Sequence, residues 1–306
     1  MGNMAKEAFA FLSSSRGILS LLTEMHICGD SDIPRSWLIT GSGLCDEDAL
    51  DSILIPDWRK HEYGWDRFGI DVPVKDGHPG TFVLSYLKNG LIPILVSRGR
   101  VHLNQVLHRE QMLRLWLGVG FLLMGGGRYV ISTQAVGGYG TEIEVGKIAI
   151  PTQLIGYHWP SSGYINVSTD GHPATESVFP HRESYVYRTL CASARYSGLD
   201  VCRKGLDLRY IPVVGPCFGG VAERDLFGNN CKCHTVGMSG KPEADGVAVE
   251  NMTGNTDHPL TFVPIQVVSD NQDIPSDSEV VAEVRKKAPQ VLQMVSFFLS
   301  EMEGNV

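Results

Sequence analysis

The sequence predicts an α/β fold: one domain built on a mixed, mostly parallel twisted sheet flanked by helices. Three observations carry this. Short apolar runs recur along the chain, stretches with helical spacing separate several of them, and glycine-containing turns follow the runs. Strands alternating with helices put helices on both faces of a sheet. Ligands in such folds sit outside the strand ends.

Residues 5–25 carry Ala8, Phe11, Leu12, Ile18, Leu19 and Leu22 at helical spacing, which predicts an opening helix. Apolar runs at 37–39, 92–96, 129–132, 148–150, 210–214 and 262–268 predict strands. Helical patterns fall around 104–118, 183–198, 220–228 and 277–302, and Pro289 predicts a kink in the last of them or the start of a second segment. Residues 157–182, rich in Gly, Ser, Pro and His, read as a long surface or active-site loop. The chain has no internal repeat, low-complexity tract or linker, so residues 1–306 are expected to form a single domain.

Composition narrows the function classes. Hydrophobic residues make up 43% and charged residues 20% of the 306, ordinary values for a globular protein. A net charge of −8 argues against a nucleic-acid partner, so any anion site has to be a local positive pocket. Seven cysteines, an odd number without regular spacing, fit a reducing compartment. Ser13-Ser14-Ser15-Arg16-Gly17 interrupts the apolar N-terminal stretch, and Lys6 stands where a myristoylation motif after Met1-Gly2 needs Ser or Thr. No stretch approaches the ~20 apolar residues of a membrane span. A cytoplasmic protein with no membrane partner is expected.

Two segments set a serine beside glycines at a break: Gly41-Ser42-Gly43, after the first apolar run, and Gly237-Met238-Ser239-Gly240. Glycine lets backbone amides approach an anion, and a hydroxyl adds a donor. Between them Arg98-Gly99-Arg100-Val101-His102 gathers positive charge after the run at 92–96. Gln134-Ala135-Val136-Gly137-Gly138 follows 129–132, and Gly215-Pro216-Cys217-Phe218 follows 210–214. The first reads as amides facing a ligand or as a tight strand-to-loop turn; the phenylalanine reads as core or as a stacking surface.

In their order along the chain these segments resemble the nucleoside phosphorylase family, on the branch of trimeric purine nucleoside and methylthioadenosine phosphorylases. The matching stretches are Gly41-Ser42-Gly43-Leu44, Gly77-His78, Gly99-Arg100-Val101-His102, Ala135-Val136-Gly137-Gly138, Glu144-Val145-Gly146, Gly215-Pro216-Cys217-Phe218 with Ala222-Glu223, Val236-Gly237-Met238-Ser239 with Pro242-Glu243, and Val268-Ser269-Asp270. The resemblance implies a phosphorylase/hydrolase-like fold and a homotrimer. It implies that Ser42, Arg100, His102, the Ala135 amide and Ser239 hold phosphate, with Arg98 a second cationic candidate and His78 in a loop nearby. It sets Val236 and Met238 beneath the nucleoside, Phe218 beside the purine and Asp270 at the purine N7. Asp270 and His102 are the catalytic candidates. Phosphate stabilises and captures the cationic sugar while a group at N7 assists the departing base; for Asp270 to donate there it must carry a proton, which burial favours. The co-substrate is inorganic phosphate, and no cofactor or metal is expected.

The chain departs from the family pattern at informative places. Members specific for 6-oxopurines carry Glu at the position of Gly219 and Asn at the position of Asp270, so the resemblance points to an adenine-type base, as in methylthioadenosine or adenosine. Methylthioadenosine members add a second Asp where this chain has Gln272. At the sugar end Asn104 replaces a Tyr, and Asp277 falls near a His that binds the 5′-hydroxyl. Cys231-Lys232-Cys233-His234 has metal-ligand residue types but lacks the second pair that a structural zinc site uses. The alternatives are a 6-oxopurine phosphorylase, hydrolysis on the same fold (which would leave Ser42, Arg100, His102 and Ser239 idle), a nucleoside-binding protein without catalysis, and a generic Rossmann-like protein, which would need a G-x-G-x-x-G turn after its first strand.

Overall fold

Side chains on the central strands of the computed structural model alternate between two apolar layers, one on each face of a single ten-stranded sheet. The structure describes residues 2–13, 33–41, 43–73, 78–106, 110–125, 127–155, 178–213, 223, 225–254, 259–271 and 277–304. In chain order they form α1 (Asn3–Ser13), β1 (Ser36–Thr40), α2 (Glu47–Asp51), β2 (Glu62–Gly64), β3 (Thr81–Tyr86), β4 (Pro93–Arg98), α3 (Glu110–Leu123), β5 (Tyr129–Gly138), β6 (Ile148–Ala149), β7 (Gln153–Leu154), α4 (Tyr185–Tyr196), β8 (Arg209–Pro212), β9 (Thr235–Gly237), α5 (Lys241–Thr253), β10 (Thr261–Asp270) and α6 (Asp277–Glu303), with 3₁₀ turns and a π-helical segment at Asp225–Asn230.

Trp37, Ile39, Val130 and Phe262 face one layer, completed by α1, α3 and α5. Leu38, Ile131, Val263 and Ile265 face the other, completed by α2, α4 and α6. The period of two along a strand makes this sorting automatic once both faces are covered. The strand order is β2-β3-β4-β1-β5-β9-β8-β7, with β10 along the other edge of β5 and β6 beyond it. Pairing is parallel among β4, β1, β5 and β10 and antiparallel at β2–β3–β4, β5–β9 and β6–β10. The expected mixed sheet with helices on both faces is what forms.

Several elements differ from expectation. The strand starting at 129 continues through the Gln134–Gly138 motif instead of turning there, because β10 pairs with it from Tyr129 to Gly137 and β9 takes its last two residues. β2, β3, β7, β9 and α5 carry no clear periodic signal. For α5 the reason is burial: every residue from Pro242 to Glu250 is buried, so no polar face marks the helical period. α6 runs unbroken through Pro289, whose missing N–H costs one backbone bond. The apolar face of Val284, Ala288, Val291, Val295 and Phe298 carries across it, and that burial outweighs the lost bond. The opening helix is described to Ser13, and most of the 157–182 loop lies outside the described residues. Among the described residues no helix is long and apolar enough to cross a membrane.

Glu250 of α5 accepts the backbone N–H groups of Gly2 (2.7 Å) and Ala5 (3.0 Å), capping the start of α1. α1 then crosses α3 at Gly118, where an added Cβ would come within 2.5 Å of the Met4 carbonyl oxygen. Two residues on, a Cβ at Gly120 would stand 2.1 Å from the ring of fully buried Trp37. Gly120→Ala gains up to about 1 kcal/mol of helix propensity. Overpacking a rigid indole costs about 1–3 kcal/mol or more, so the net expectation is destabilisation, read as a lower midpoint in urea.

Candidate functional site

The sheet splits at β5, and several of the polar residues that the motifs single out lie around the split. Ser36–Ile39 of β1 pair with Tyr129–Ser132, and Val236 and Thr235 of β9 pair with Gly137 and Gly138. β10 occupies the opposite edge to Gly137, so β1 and β9 share one edge of β5, and on that edge Thr133–Val136 have no strand partner among the described residues.

Arg100 fills the lower end of this split. Gly99, at φ 101°, turns the chain after β4, and a Cβ there would meet His78 at 2.8 Å. The Arg100 guanidinium is buried; Nη1 donates to Glu243 Oε1 (2.8 Å) and Ser132 Oγ (3.2 Å), and Nη2 to the carbonyls of Thr133 and Ile39. Among the described residues its Nε has no hydrogen-bond partner. Glu243 is only 1% exposed, and its second oxygen accepts the Gly240 N–H (2.8 Å) at the start of α5. The arginine is therefore tied to a helix N-terminus, where backbone amides and the helix dipole favour negative charge. Ser239 directly precedes that terminus, and its carbonyl accepts the Tyr210 hydroxyl (2.5 Å), whose buried phenol has its pKa pushed up.

His102 follows two residues after Arg100. Its N–H donates to Gln105 Oε1 (3.0 Å), and its ring stacks on that of His78 with centroids 5.7 Å apart. Arg98, the second cationic candidate, lies apart from Arg100. It shares the strand phase of Ile94 and Val96, which points it to the opposite layer. There it donates to Glu62 (2.6 Å) and the Cys45 carbonyl and lies over the Trp58 ring. Arg98 thus braces the turn that starts at Gly41. The thiol of Cys45 donates to the Gly41 carbonyl (3.1 Å), and burial pushes its pKa up to about 11.

Asp270 closes the upper end. β10 and β5 are in register to Val268, opposite Val136; then Asp270 falls opposite Gly137, so Ser269 is a bulge. A bulge re-aims the residue that follows it. Here it brings the Asp270 carboxylate over Gly137, where a Cβ would lie 3.3 Å from both of its oxygens and 3.2 Å from Val236. Ser269 donates to the Val136 carbonyl (3.1 Å) and fixes the bulge. Asn271, the next residue, abuts Gly138 and lines a cavity of about 590 Å³ with Tyr139, Glu142, Arg203 and His234. His234 Nδ1 accepts the Arg209 N–H (2.9 Å), and burial lowers its pKa to about 4.

The structure thus gathers Arg100, Ala135, Val236, Ser239 and Asp270 around one stretch of β5, with half-buried Met238 between Val236 and Ser239. Ser42, Phe218, Gly219 and Gln272 lie outside the described residues, as does the side chain of Asp277, the first residue of α6. Glu243 and Gln134 are the polar groups that sequence reasoning left without a role. Glu243 was findable, since Gly240-Lys241-Pro242-Glu243 has the Pro and the N3 glutamate of a helix start.

No protein-family model and no curated protein matches the chain. Among solved structures it is similar to purine nucleoside phosphorylase from Schistosoma mansoni in complex with adenosine, with a TM-score of 0.64 and 18% identity over 93% of this chain and 96% of that one. It is equally similar to a schistosoma purine nucleoside phosphorylase in complex with hypoxanthine, with a TM-score of 0.66 and 18% identity over the same shares. Isoform 2 from Schistosoma mansoni, in complex with cytosine and ribose-1-phosphate, gives 0.66 and 18% over 91% of this chain and 94% of that one. The likeness extends over nearly the whole of both chains, and the chain has the fold of the purine nucleoside phosphorylases.

Proposed function

We propose that this protein cleaves a purine nucleoside with inorganic phosphate, releasing the free base and a sugar 1-phosphate. One observation supports this above the rest: the short unpaired stretch of β5 joins an anion-type end, at Arg100 and the start of α5, to a carboxylate end, at Asp270. Ala135 and Gly137 are two residues apart, about 7 Å along a strand. That matches the reach from an oxyanion beneath the sugar C1′ to the five-membered ring of the base.

In the proposed reaction the C1′–N9 bond breaks with its electron pair leaving on the base. A phosphate oxygen forms the new bond to C1′. Ser42, Arg100, His102, the Ala135 amide and Ser239 hold the phosphate, and Asp270 meets N7 of the departing purine. Val236, Met238 and Phe218 supply the apolar walls. We assign the base as adenine-type because Gly219 offers no acceptor for the N1–H of a 6-oxopurine, while Asp270 can accept from a 6-amino group. The homotrimer and the cytoplasmic setting belong to the same proposal and rest on the family resemblance.

The test is product analysis of adenosine, methylthioadenosine, inosine and guanosine, each with and without phosphate. Base and sugar 1-phosphate are expected only when phosphate is present. Equal rates without phosphate would make the protein a hydrolase; no turnover of any nucleoside would leave a binding protein.

A further inference from the structure

The cavity of about 590 Å³ lies just past the carboxylate end of the site. On each of the three strands that meet there, the next residues outward line it. β5 leads from Gly137 to Tyr139, β10 from Asp270 to Asn271, and β9, read backwards, from Val236 to His234. Pairing carries across this step, since the Tyr139 N–H donates to the His234 carbonyl (2.8 Å). Tyr139 also packs in the same apolar cluster as Val236, and Val236 and Asp270 together flank Gly137. Along β5 the cavity therefore begins two residues, about 7 Å, beyond Gly137. The anion end at Arg100 lies the other way along the strand, and so would the sugar.

A purine with N7 at Asp270 carries its 6-amino group on the same edge, farther from the sugar. A substituent on that nitrogen would extend toward the cavity. The volume lies within the ~300–1,000 Å³ that small-molecule sites span, far more than a bare amino group needs.

The lining indicates what kind of substituent. Among the described residues three non-glycines have positive φ, and two of them line this cavity: Arg203 (φ 47°) and Lys232 (φ 54°). A Cβ disfavours such backbone, which persists where the fold holds it in place and clusters at ligand sites. Both residues are cations. Two acids share the lining, and each is engaged: Glu142 accepts from Nη1 of Arg203, and Asp225 accepts from Asn229. The other donors of the guanidinium and the exposed Lys232 ammonium remain. His234 adds a donor, because its Nδ1 accepts from Arg209 and the neutral ring then carries its proton on Nε2.

We propose that this cavity extends the base site and takes an acidic chain borne on the 6-amino group, so that N6-carboxyalkyl adenine nucleosides are substrates. The inference rests on the phosphorolysis reading, with Asp270 at N7, and names its substrate class. The chemistry is unchanged: the C1′–N9 bond breaks with its electron pair on the base, and phosphate bonds to C1′. The carboxylate, remote from these atoms, accepts from Arg203 and Lys232.

The experiment compares adenosine, N6-(2-carboxyethyl)adenosine and its methyl ester, each with phosphate, on wild type, Lys232→Glu and Thr141→Trp. Lys232 and Thr141 line the cavity and are exposed, where substitutions leave the fold intact. One variant reverses a charge and the other fills the space with an indole. Every kcat/KM is taken relative to adenosine on the same variant. In wild type the acid should come within about tenfold of adenosine and exceed the ester by at least about tenfold, as a charge-assisted hydrogen bond allows. Lys232→Glu should erase the acid's advantage over the ester, and Thr141→Trp should lower both substituted nucleosides by at least about tenfold. A wild-type acid more than about tenfold poorer than adenosine overturns the proposal, as does an ester equal to the acid or a variant that leaves these ratios unchanged. Phosphate-dependent cleavage of adenosine without cleavage of the acid would sink this inference and leave the phosphorolysis reading standing. With no turnover of any nucleoside that reading falls, and calorimetry on the protein alone decides: the acid must bind about tenfold more tightly than the ester, and Lys232→Glu must remove the difference.

Discussion

Glu243→Ala is expected to destabilise the protein by about 3–5 kcal/mol, the usual loss when one partner of a buried ion pair is removed. Arg100 and Glu243 are both almost fully buried, so the orphaned guanidinium has no water to turn to. The substitution also strips the Gly240 amide of its acceptor at the start of α5. Chemical denaturation measures the loss, and calorimetry with phosphate should show weakened anion binding as Arg100 shifts. Arg100→Met combined with Glu243→Leu should recover much of the stability, since both charges leave together, while phosphate binding stays lost. A stability change below about 1 kcal/mol in Glu243→Ala would show that Arg100 finds another counter-charge.

Asp270→Ala is expected to lower kcat by about 10²–10⁴-fold, the range for a lost acid–base group, with phosphate KM little changed. The bulge at Ser269 aims this carboxylate at one side of β5, away from the anion end, so the two kinetic constants should separate. Asp270→Asn tests base choice. It should depress turnover of adenosine or methylthioadenosine strongly, because an amide cannot supply a proton. It should bring little gain for inosine unless Gly219→Glu is added. An unmet N1–H costs about 1–3 kcal/mol, roughly tenfold to a hundredfold in relative rate. Wild-type enzyme that prefers inosine to every adenine nucleoside by about tenfold would overturn the base assignment.

The sheet and both helical layers were legible because residues such as Trp37, Leu38 and Ile39 sit in apolar runs that strands of a doubly covered sheet require. α5 was not, because a helix buried on all sides lacks the polar stripe that reveals its period. The site was half legible. The Arg100 turn, glycine-flanked Ser239 and Asp270 at a strand end are visible in the sequence and come to one stretch of β5, while Ser42 lies outside the described residues. Arg98 joins them only through the resemblance, as a basic residue just before the Arg100 turn. Two positions along a strand keep a side chain on one face, so it is the positive-φ turn at Gly99 that sends Arg100 to the split while Arg98 stays with the opposite layer. Gln134 gave no signal at all, since a glutamine among apolar strand residues is conspicuous only once its neighbours are known to leave its amide unmatched.

The cap that Glu250 places on α1 joins residues 248 positions apart. At about 5–20 residues per second of synthesis, roughly 12–50 s separate the emergence of Gly2 from that of its acceptor. During translation, then, the leading amides of α1 stay hydrated until α5 follows, although α3, the helix that its apolar stripe packs on, is made well before. α1 can therefore pack on α3 early, while its N-terminal cap closes only after α5 has followed.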